Sequence, residues 1–316
     1  MQITFDEAAA ILNSQQELLI LTHRNLDGDT LGSALALCYG LRQRGKRASV
    51  LIEETVPPKY QWLLEAYRPQ PLEKPLLVAV DIADEQLFHA AEEPYRGQIQ
   101  LCIDHHETNT GYAEQTLLVP AAAATAEIMF DLLQQLGVRI TVDIANALFT
   151  GIATDTGGFR FSNVTATTHQ TAAALLRLGA EGYTINRIMF ETKSREQFEL
   201  EKMAMDSMTF YEEGAVAFMY ITKEMMERSK ANQGDIEGLS GRSRQIEGVK
   251  VGALLKEKSS GGYKVSVRTG LSTDASAICA KLGGGGHKRA GGCDIPGTCE
   301  EATHRLLEVI RSEWNG

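Results

Sequence analysis

The stretch that decides the fold runs from Leu18 to Gly45 and reads LLILTHRNLDGDTLGSALALCYGLRQRG. It begins with a compact apolar run, Leu18–Thr22, which is typical of a buried strand, and it continues into Leu31–Arg44, where apolar residues recur at helical spacing. Gly45 then supplies a residue suited to ending a helix. Further apolar runs of the strand type lie at Ser49–Ile52, Leu76–Val80 and Gln100–Ile103. This alternation predicts an α/β fold whose open, mainly parallel sheet has flanking helices.

The rest of the chain indicates a second domain, because 316 residues are enough to bury two separate cores. The helical pattern recurs in Ala124–Leu136 and Thr165–Leu178, and Ser194–Phe210 is charged and amphipathic without a strand signal. The remaining elements are strands at Ala215–Ile221, Val249–Lys256 and Tyr263–Arg268, and a helix at Glu300–Glu313. We therefore predict an N-terminal domain over 1–190, a connecting helix over 191–213 and a smaller mixed α/β domain over 214–316.

Composition limits the classes of function. A formal net charge of -10 argues against a protein that coats long nucleic acid by charge alone. Five scattered cysteines predict buried thiols, since neither a disulfide framework nor a zinc knuckle has this spacing. The N-terminal MQITFDEAAA is acidic, and no apolar run approaches the roughly 20 residues that span a bilayer, so the expected location is the cytoplasm. The quaternary state stays open, a homodimer included.

Charge is unevenly distributed along the chain. Residues 242–289 contain ten lysines and arginines against three acidic residues, which gives this segment a local charge of +7. A solvated surface explains such a run, and so does a surface that binds phosphate. Both interpretations stay open from charge alone.

Potential metal ligands follow the first predicted strand. In THRNLDGDTLGS, the side chains of His23, Asp27 and Asp29 all suit a hard metal ion, and Gly28 would let the chain turn between the two carboxylates. A simple turn accounts equally well for an Asp-Gly pair. The position of these three residues directly after a predicted strand is informative, because ligands of open parallel sheets collect at the carboxyl ends of the strands.

Two more strand ends carry the same residue types. VAVDIAD places Asp81 and Asp84 after the third apolar run, and IDHH places Asp104, His105 and His106 after the fourth. Each carboxylate alone is commonly a helix cap, but three such strand ends together favour a shared site. We also expect Asp155 to lie in a tight loop before Gly157 and Gly158. Imidazoles and carboxylates without cysteine favour Mn²⁺ or Mg²⁺ over structural zinc, and the number of ligands favours two ions.

The four segments HRNLDGD, VDIAD, DHH and TDTGG resemble, in this order, the successive motifs of the DHH phosphoesterase family. GGGGHKRAGG, from Gly283 to Gly292, resembles the signature of the C-terminal domain associated with that family. The resemblance covers nearly the whole chain and is strongest to the nanoRNase/pAp phosphatase (bifunctional oligoribonuclease) subgroup. It implies a metal-dependent enzyme that hydrolyses phosphate esters.

The resemblance also implies a role for each site residue. One ion would bind to His23, Asp27 and Asp81, and the second to Asp29, Asp81, His105 and Asp155. Asp104 would orient the histidines, and His106 would contact the substrate phosphate or donate a proton. The expected substrate-binding residues are Gly284, Gly285, Gly286, His287, Arg289, Arg268 and Arg160. Backbone N–H groups of the glycines and the neighbouring charged side chains would receive an anion, whereas a surface loop explains the glycines without one.

Short RNA oligonucleotides (nanoRNA) and 3′-phosphoadenosine 5′-phosphate (pAp) are the substrates that the resemblance implies, hydrolysed with two divalent ions, Mn²⁺ first among them. A cleft between an acidic metal domain and a basic domain would exclude long duplexes. The alternative within the same class is a cyclic-dinucleotide or linear-dinucleotide phosphodiesterase. A nucleotide-sensing module without activity is the alternative from another class, and metal analysis would separate it from an enzyme.

Overall fold

A computed structural model describes residues 1–52, 56–236 and 238–314. The chain forms two compact units, Met1–Thr192 and Lys193–Gly316. The elements of the first unit are α1 (Phe5–Ser14), β1 (Glu17–Leu21), α2 (Gly28–Gln43), β2 (Arg47–Leu51), β3 (Leu76–Val80), β4 (Leu101–Asp104), β5 (Gln115–Leu118), α3 (Thr125–Gln135), α4 (Val142–Asp155), α5 (Ala166–Arg177) and α6 (Gly182–Asn186). Within the described residues, no helix combines the length and the apolar character that crossing a bilayer requires.

The first unit contains a five-stranded sheet in the order β2-β1-β3-β4-β5, and all of its neighbouring strands run parallel. The predicted fold class is confirmed. Alternate residues of each strand enter two different cores: Leu18 and Ile20 pack toward the helices, whereas Leu19 and Leu21 pack on the opposite face. Burial on both faces explains why these strands are continuous apolar runs in the sequence. The strand order switches between β1 and β3, because β2 lies on one side of β1 and β3 lies on the other. Ligands of such sheets collect at this switch point.

The second unit contains a six-stranded mixed sheet in the order β10-β11-β9-β8-β7-β6. Its elements are α7 (Arg195–Asp206), β6 (Thr209–Tyr211), β7 (Val216–Ile221), α8 (Lys223–Ser229), β8 (Val251–Glu257), β9 (Tyr263–Thr269), α9 (Ala275–Lys281), β10 (Gly285–His287), β11 (Ala290–Ile295) and α10 (Cys299–Trp314). Only β7 and β8 pair in parallel, joined through α8. One core includes the apolar residues of α9 and α10, and another includes those of α7.

Two sequence predictions were wrong about local structure. The helix predicted over Ser194–Phe210 ends at Asp206, and Thr209–Tyr211 instead pairs with β7 as an edge strand. The segment before Asp155 was expected to lead into a tight loop, but it is helix α4, with Asp155 as its last residue. The glycine inside this helix, Gly151, obscures the pattern because glycine has low helix propensity.

Candidate metal centre

The loop after β1 leads into helix α2 through Asp27, which is both a potential ligand and the cap of the helix. Its Oδ1 accepts hydrogen bonds from the backbone N–H groups of Asp29 and Thr30 at 3.0 and 3.1 Å. Its Oδ2 lies 3.5 Å from His23 Nε2. The cap therefore fixes one carboxylate oxygen and leaves the other directed at the histidine.

Asp29, one residue into α2, is buried and meets the N-terminus of helix α3. Its Oδ2 accepts from the Thr125 backbone N–H at 2.7 Å, and its Oδ1 accepts from the Ala126 N–H at 2.9 Å and the Ser33 hydroxyl at 3.2 Å. The first-turn N–H groups of a helix have no intrahelical partners, so a carboxylate is stabilised there. One lone pair of Oδ2 remains available for a cation.

Asp81 follows β3 with a left-handed backbone, φ 62°, which aspartate tolerates better than most residues. Its Oδ1 accepts a hydrogen bond of 2.8 Å from the Thr125 hydroxyl. Its Oδ2 lies 3.7 Å from His23 Nε2, and its Oδ1 lies 3.7 Å from His105 Nε2. Asp81 thus lies between the two histidines, one oxygen toward each.

Asp104, the last residue of β4, is buried and is surrounded by donors. Its Oδ1 lies 2.7 Å from His106 Nδ1 and accepts from the backbone N–H groups of His105 and His106, and its Oδ2 accepts from Asn109 Nδ2 at 2.7 Å. The His105 Nδ1 lies 3.1 Å from the Ala122 carbonyl, which only accepts. His105 therefore carries its proton on Nδ1, and its Nε2 lone pair is free to bind a cation.

Asp155 joins the group from the C-terminal end of α4, with its Oδ2 3.5 Å from His105 Nε2. Close packing of α4 on α2 brings it there, and two glycines permit that packing. A Cβ on Gly28 would lie 2.4 Å from the Thr154 hydroxyl oxygen, and one on Gly151 would lie 2.7 Å from Asp29 Oδ1. Gly28 is therefore required by this helix contact and has no left-handed φ, so the expected turn between the aspartates was the wrong reason for it.

Among the residues that the structure describes, three overlapping groups of potential ligands result, and within each group the ligand atoms lie within 4.8 Å of one another. The groups are His23, Asp27 and Asp81; Asp29, His105 and Asp155; and Asp81, His105 and His106. Asp81 and His105 each belong to two groups. The structure thus brings together all six residues that the sequence suggested as metal ligands, whereas Asp84 lies apart and caps a short 3₁₀ turn through Gln86.

The electrostatics of the metal-free chain are those of a crowded anionic site. Burial raises the pKa of Asp29 well above its usual range, and the charges of Asp81 and Asp155 raise it further. Burial is also the main cause that raises the pKa of Asp155 to about 6, partly opposed by His105. A divalent cation would relieve this repulsion and satisfy the donor set, so the residues present fit a metal centre.

The pKa values of His23 and His106 are raised as well, which favours the charged form of each ring. Burial alone would lower the pKa of His23, but hydrogen bonds with Asp27 and Asp81 and their charges outweigh it and raise the pKa to about 10. His106 has a pKa of about 9, because its contact with Asp104 and the charge of Asp81 likewise outweigh burial. Without a cation, protons on these rings supply the positive charge that the carboxylates require.

The glycine-rich segment of the second unit is a β-hairpin, β10–β11, in which Gly285 pairs with Gly292. A Cβ on Gly284 would lie 2.1 Å from the Gly292 carbonyl oxygen, and Gly286 has a φ of 141°, so packing and conformation require these two glycines. Gly285 has neither constraint and faces open space. Of these three glycines, only Gly285 has unoccupied space where a Cβ would lie.

The basic side chains near this hairpin differ in their partners. The Arg289 guanidinium donates through Nη1 to the backbone carbonyls of Gly270 and Thr273, which ties it into the fold. Arg268, on β9, is half-buried and donates to the Val267 carbonyl, and no carboxylate among the described residues pairs with it. His287 is exposed at the end of β10. In the first unit, Arg160 donates to the Gly157 carbonyl and lies over the Phe190 ring.

Sequence reasoning missed Thr125 and Asn109, which hold Asp81, Asp29 and Asp104 in place. A signal for Thr125 existed in the predicted helix start at 124, because a helix N-terminus attracts carboxylates. Asn109 gave no such signal, since its contact with Asp104 depends on how the loop after β4 folds.

Comparisons with known proteins identify the same two parts of the chain. The model of the DHH family, N-terminal domain, matches residues 17–152, and that of the DHHA1 domain matches residues 213–315. The bifunctional oligoribonuclease and PAP phosphatase NrnA of Thermus thermophilus is 34% identical over 94% of this chain and 90% of its own.

Two solved structures show the fold. An exopolyphosphatase-related protein from Bacteroides fragilis superposes with a TM-score of 0.89 at 23% identity, covering 98% of this chain and 95% of its own. RecJ from Thermus thermophilus, in complex with Mn²⁺, superposes with a TM-score of 0.57 at 16% identity, covering 99% of this chain and 55% of its own.

Proposed function

The chain belongs to the DHH phosphoesterase family, and we propose that it hydrolyses short oligoribonucleotides to mononucleotides and pAp to AMP. The observation that carries this proposal is the sharing of Asp81 and His105 between groups of ligand atoms at the carboxyl edge of the parallel sheet. The relative from Thermus thermophilus has both activities in its name.

We assign two divalent ions to this centre. The ligand sets are His23, Asp27 and Asp81 for one ion, and Asp29, Asp81, His105 and Asp155 for the other. Mn²⁺ is the proposed ion, because the centre mixes imidazole with carboxylate, and the related RecJ structure is a complex with Mn²⁺. Two such ions acidify a water molecule and neutralise charge on phosphoryl oxygens.

Residues of the chain itself would position the reacting groups. Because Asp104 binds Nδ1 of His106, the Nε2 of that ring is left to contact the substrate phosphate or to protonate the leaving oxygen. The side chain of His106 is 35% exposed, so a substrate can reach it. Asp104 is the positioning residue, because it contacts the His106 ring and accepts hydrogen bonds from the backbone N–H groups of His105 and His106.

In the second unit, we assign substrate contacts to Arg268, Gly285 and His287. Arg268 offers a guanidinium without a carboxylate partner in the described part of the chain, and such a group binds phosphate strongly. Gly285 leaves space beside β11, and His287 is exposed on the same hairpin. The other predicted residues of this segment would affect substrate binding indirectly, by maintaining the hairpin: Arg289, Gly284 and Gly286.

The experiment is a substrate panel with purified protein and Mn²⁺: the linear dinucleotide pApA, pAp and cyclic di-AMP, with AMP measured by chromatography. We expect release of AMP from pApA and from pAp and slower turnover of cyclic di-AMP. Protein dialysed against a chelator should lose turnover and regain it on addition of Mn²⁺. Failure to hydrolyse pApA and pAp at any metal concentration would refute the proposal, and preferential hydrolysis of cyclic di-AMP would replace it with the cyclic-dinucleotide phosphodiesterase alternative.

A further inference from the structure

The chain after Asp155 has an unusual backbone. Gly157, Gly158 and Phe159 adopt left-handed conformations in succession, with φ of 58°, 71° and 63°. Phenylalanine rarely adopts this conformation, and strained residues of this kind persist where the surrounding structure holds them, often at functional sites. The result is a tight reversal, in which the backbone N–H of Phe161 donates to the Thr156 carbonyl at 3.1 Å.

This reversal places the two phenylalanines of the segment in different environments. Phe159 packs toward the interior, with its ring centroid 5.9 Å from that of Phe149. Phe161 is 58% exposed, although a large apolar ring gains most from burial. The reversal therefore exposes one aromatic ring three residues beyond Gly158 and six beyond the metal-ligand candidate Asp155.

The Phe161 ring lies against the backbone of the neighbouring Gly157. A Cβ on Gly157 would lie 2.3 Å from Cζ of Phe161 and 2.5 Å from its Cε1, so only glycine lets the ring lie against the backbone there. The ring is thus supported along its far edge and exposed elsewhere. A supported, exposed aromatic ring loses little conformational freedom when a flat partner stacks on it.

We propose that Phe161 is a stacking platform for a nucleobase of the substrate. This inference rests on the proposed function, and it names a base contact in the same unit as the metal centre. A neutral aromatic ring stacks on the flat face of a base and offers no charge or hydrogen bond to a bare phosphate. Arg160 does not compete for the ring, because its guanidinium lies 5.6 Å from the Phe190 centroid and donates to the Gly157 carbonyl.

The test compares pApA with two analogues in which one adenine or the other is replaced by hydrogen. With the wild-type protein, removal of the stacked base should lower kcat/KM by about tenfold or more, given the strength of base–aromatic stacking. Phe161→Ala should lower kcat/KM for pApA to a similar extent and leave the corresponding abasic analogue unaffected. Phe161→Tyr and Phe161→Trp should retain the preference, and Phe161→Leu should lose most of it.

Phe198→Ala is the matched control, because Phe198 is 59% exposed in the second unit and lies on helix α7. It should behave as wild type on all three substrates. Equal losses of Phe161→Ala on pApA and both abasic analogues would indicate a purely structural role and overturn the inference. An unchanged kcat/KM in Phe161→Ala would overturn it too. If the wild-type protein hydrolysed none of these substrates, the proposed function itself would fail.

Discussion

The Thr125 hydroxyl donates a 2.8 Å hydrogen bond to Asp81 Oδ1, and the backbone N–H of the same residue donates to Asp29 Oδ2 at 2.7 Å. One residue at the start of helix α3 therefore holds two carboxylates that come from separate segments of the sheet edge. Both are potential metal ligands, so their separation depends on the position of Thr125. Groups that orient metal ligands in this way commonly affect affinity without touching the metal.

We predict that Thr125→Val, which keeps the shape and removes the hydroxyl, weakens Mn²⁺ binding by about 10–100-fold, whereas Thr125→Ser restores most of it. Titration calorimetry on the metal-free protein measures this directly. The matched control is Thr168→Val, because Thr168 is also buried and donates to a carboxylate, Glu127, outside the ligand groups. Wild-type affinity in Thr125→Val, or equal weakening in the control, would contradict the prediction.

Asp81 is the residue whose replacement should affect both ligand sets at once. We predict that Asp81→Asn lowers kcat for pApA by more than about a hundredfold, exceeding the effect of an outer residue such as Thr125. Asparagine is preferable to alanine because it tolerates the left-handed φ of 62° at this position. Circular dichroism should show an intact fold, and calorimetry should show weaker binding at both sites. Wild-type turnover would exclude Asp81 as a bridging ligand.

Metal binding should depend on pH in a defined direction. In the metal-free protein His23 has a pKa of about 10, so at pH 7 its ring carries a proton that a bound cation must displace. Mn²⁺ affinity should therefore rise with pH, by up to about tenfold per unit for one released proton, and should level off near pH 10. Below about pH 6 the slope should steepen, because Asp155 is then protonated as well.

Calorimetry in buffers of different ionisation enthalpy counts the released protons, and zero release at pH 7 would contradict the scheme. The same binding should stabilise the fold: at a hundredfold excess over Kd, each site adds about 2.7 kcal/mol to the free energy of unfolding. A chelator should reverse the corresponding rise in Tm.

The sequence predicted the parallel sheet because its strands are buried on both faces. The strand-end residues indicated the candidate ligands because parallel strands share one carboxyl edge. The sequence did not predict the helix that ends at Asp155 or the β-hairpin β10–β11. Helix α4 contains Gly151 for contact with α2, and two of the three residues of β10 are glycines, so neither segment has the local propensity of its structure. Both are specified by tertiary contacts, which a single sequence does not display.

Arg268 and Arg289 should differ when each is replaced by alanine. Arg268→Ala should raise KM for pApA by about tenfold or more, since a charged hydrogen bond contributes about 1.5–3 kcal/mol, and should leave Tm nearly unchanged. Arg289→Ala removes the bonds to the Gly270 and Thr273 carbonyls and should destabilise the protein by about 1–3 kcal/mol. Thermal unfolding and steady-state kinetics on both variants separate the two roles. A destabilised Arg268→Ala with unchanged KM would reverse the assignment.

Gly284 and Gly285 are adjacent glycines at the start of the β10–β11 hairpin, and their replacement by alanine should have different effects on stability. A Cβ on Gly284 would lie 2.1 Å from the Gly292 carbonyl oxygen, so Gly284→Ala should cost about 1–3 kcal/mol of stability through overpacking. Gly285 lacks a positive φ and faces open space, so Gly285→Ala should be neutral or stabilise by about 0.4–1 kcal/mol. If the space beside Gly285 receives substrate, the same variant should nevertheless raise KM for pApA. A stable Gly285→Ala protein with wild-type kinetics would show that the space is not part of the substrate site.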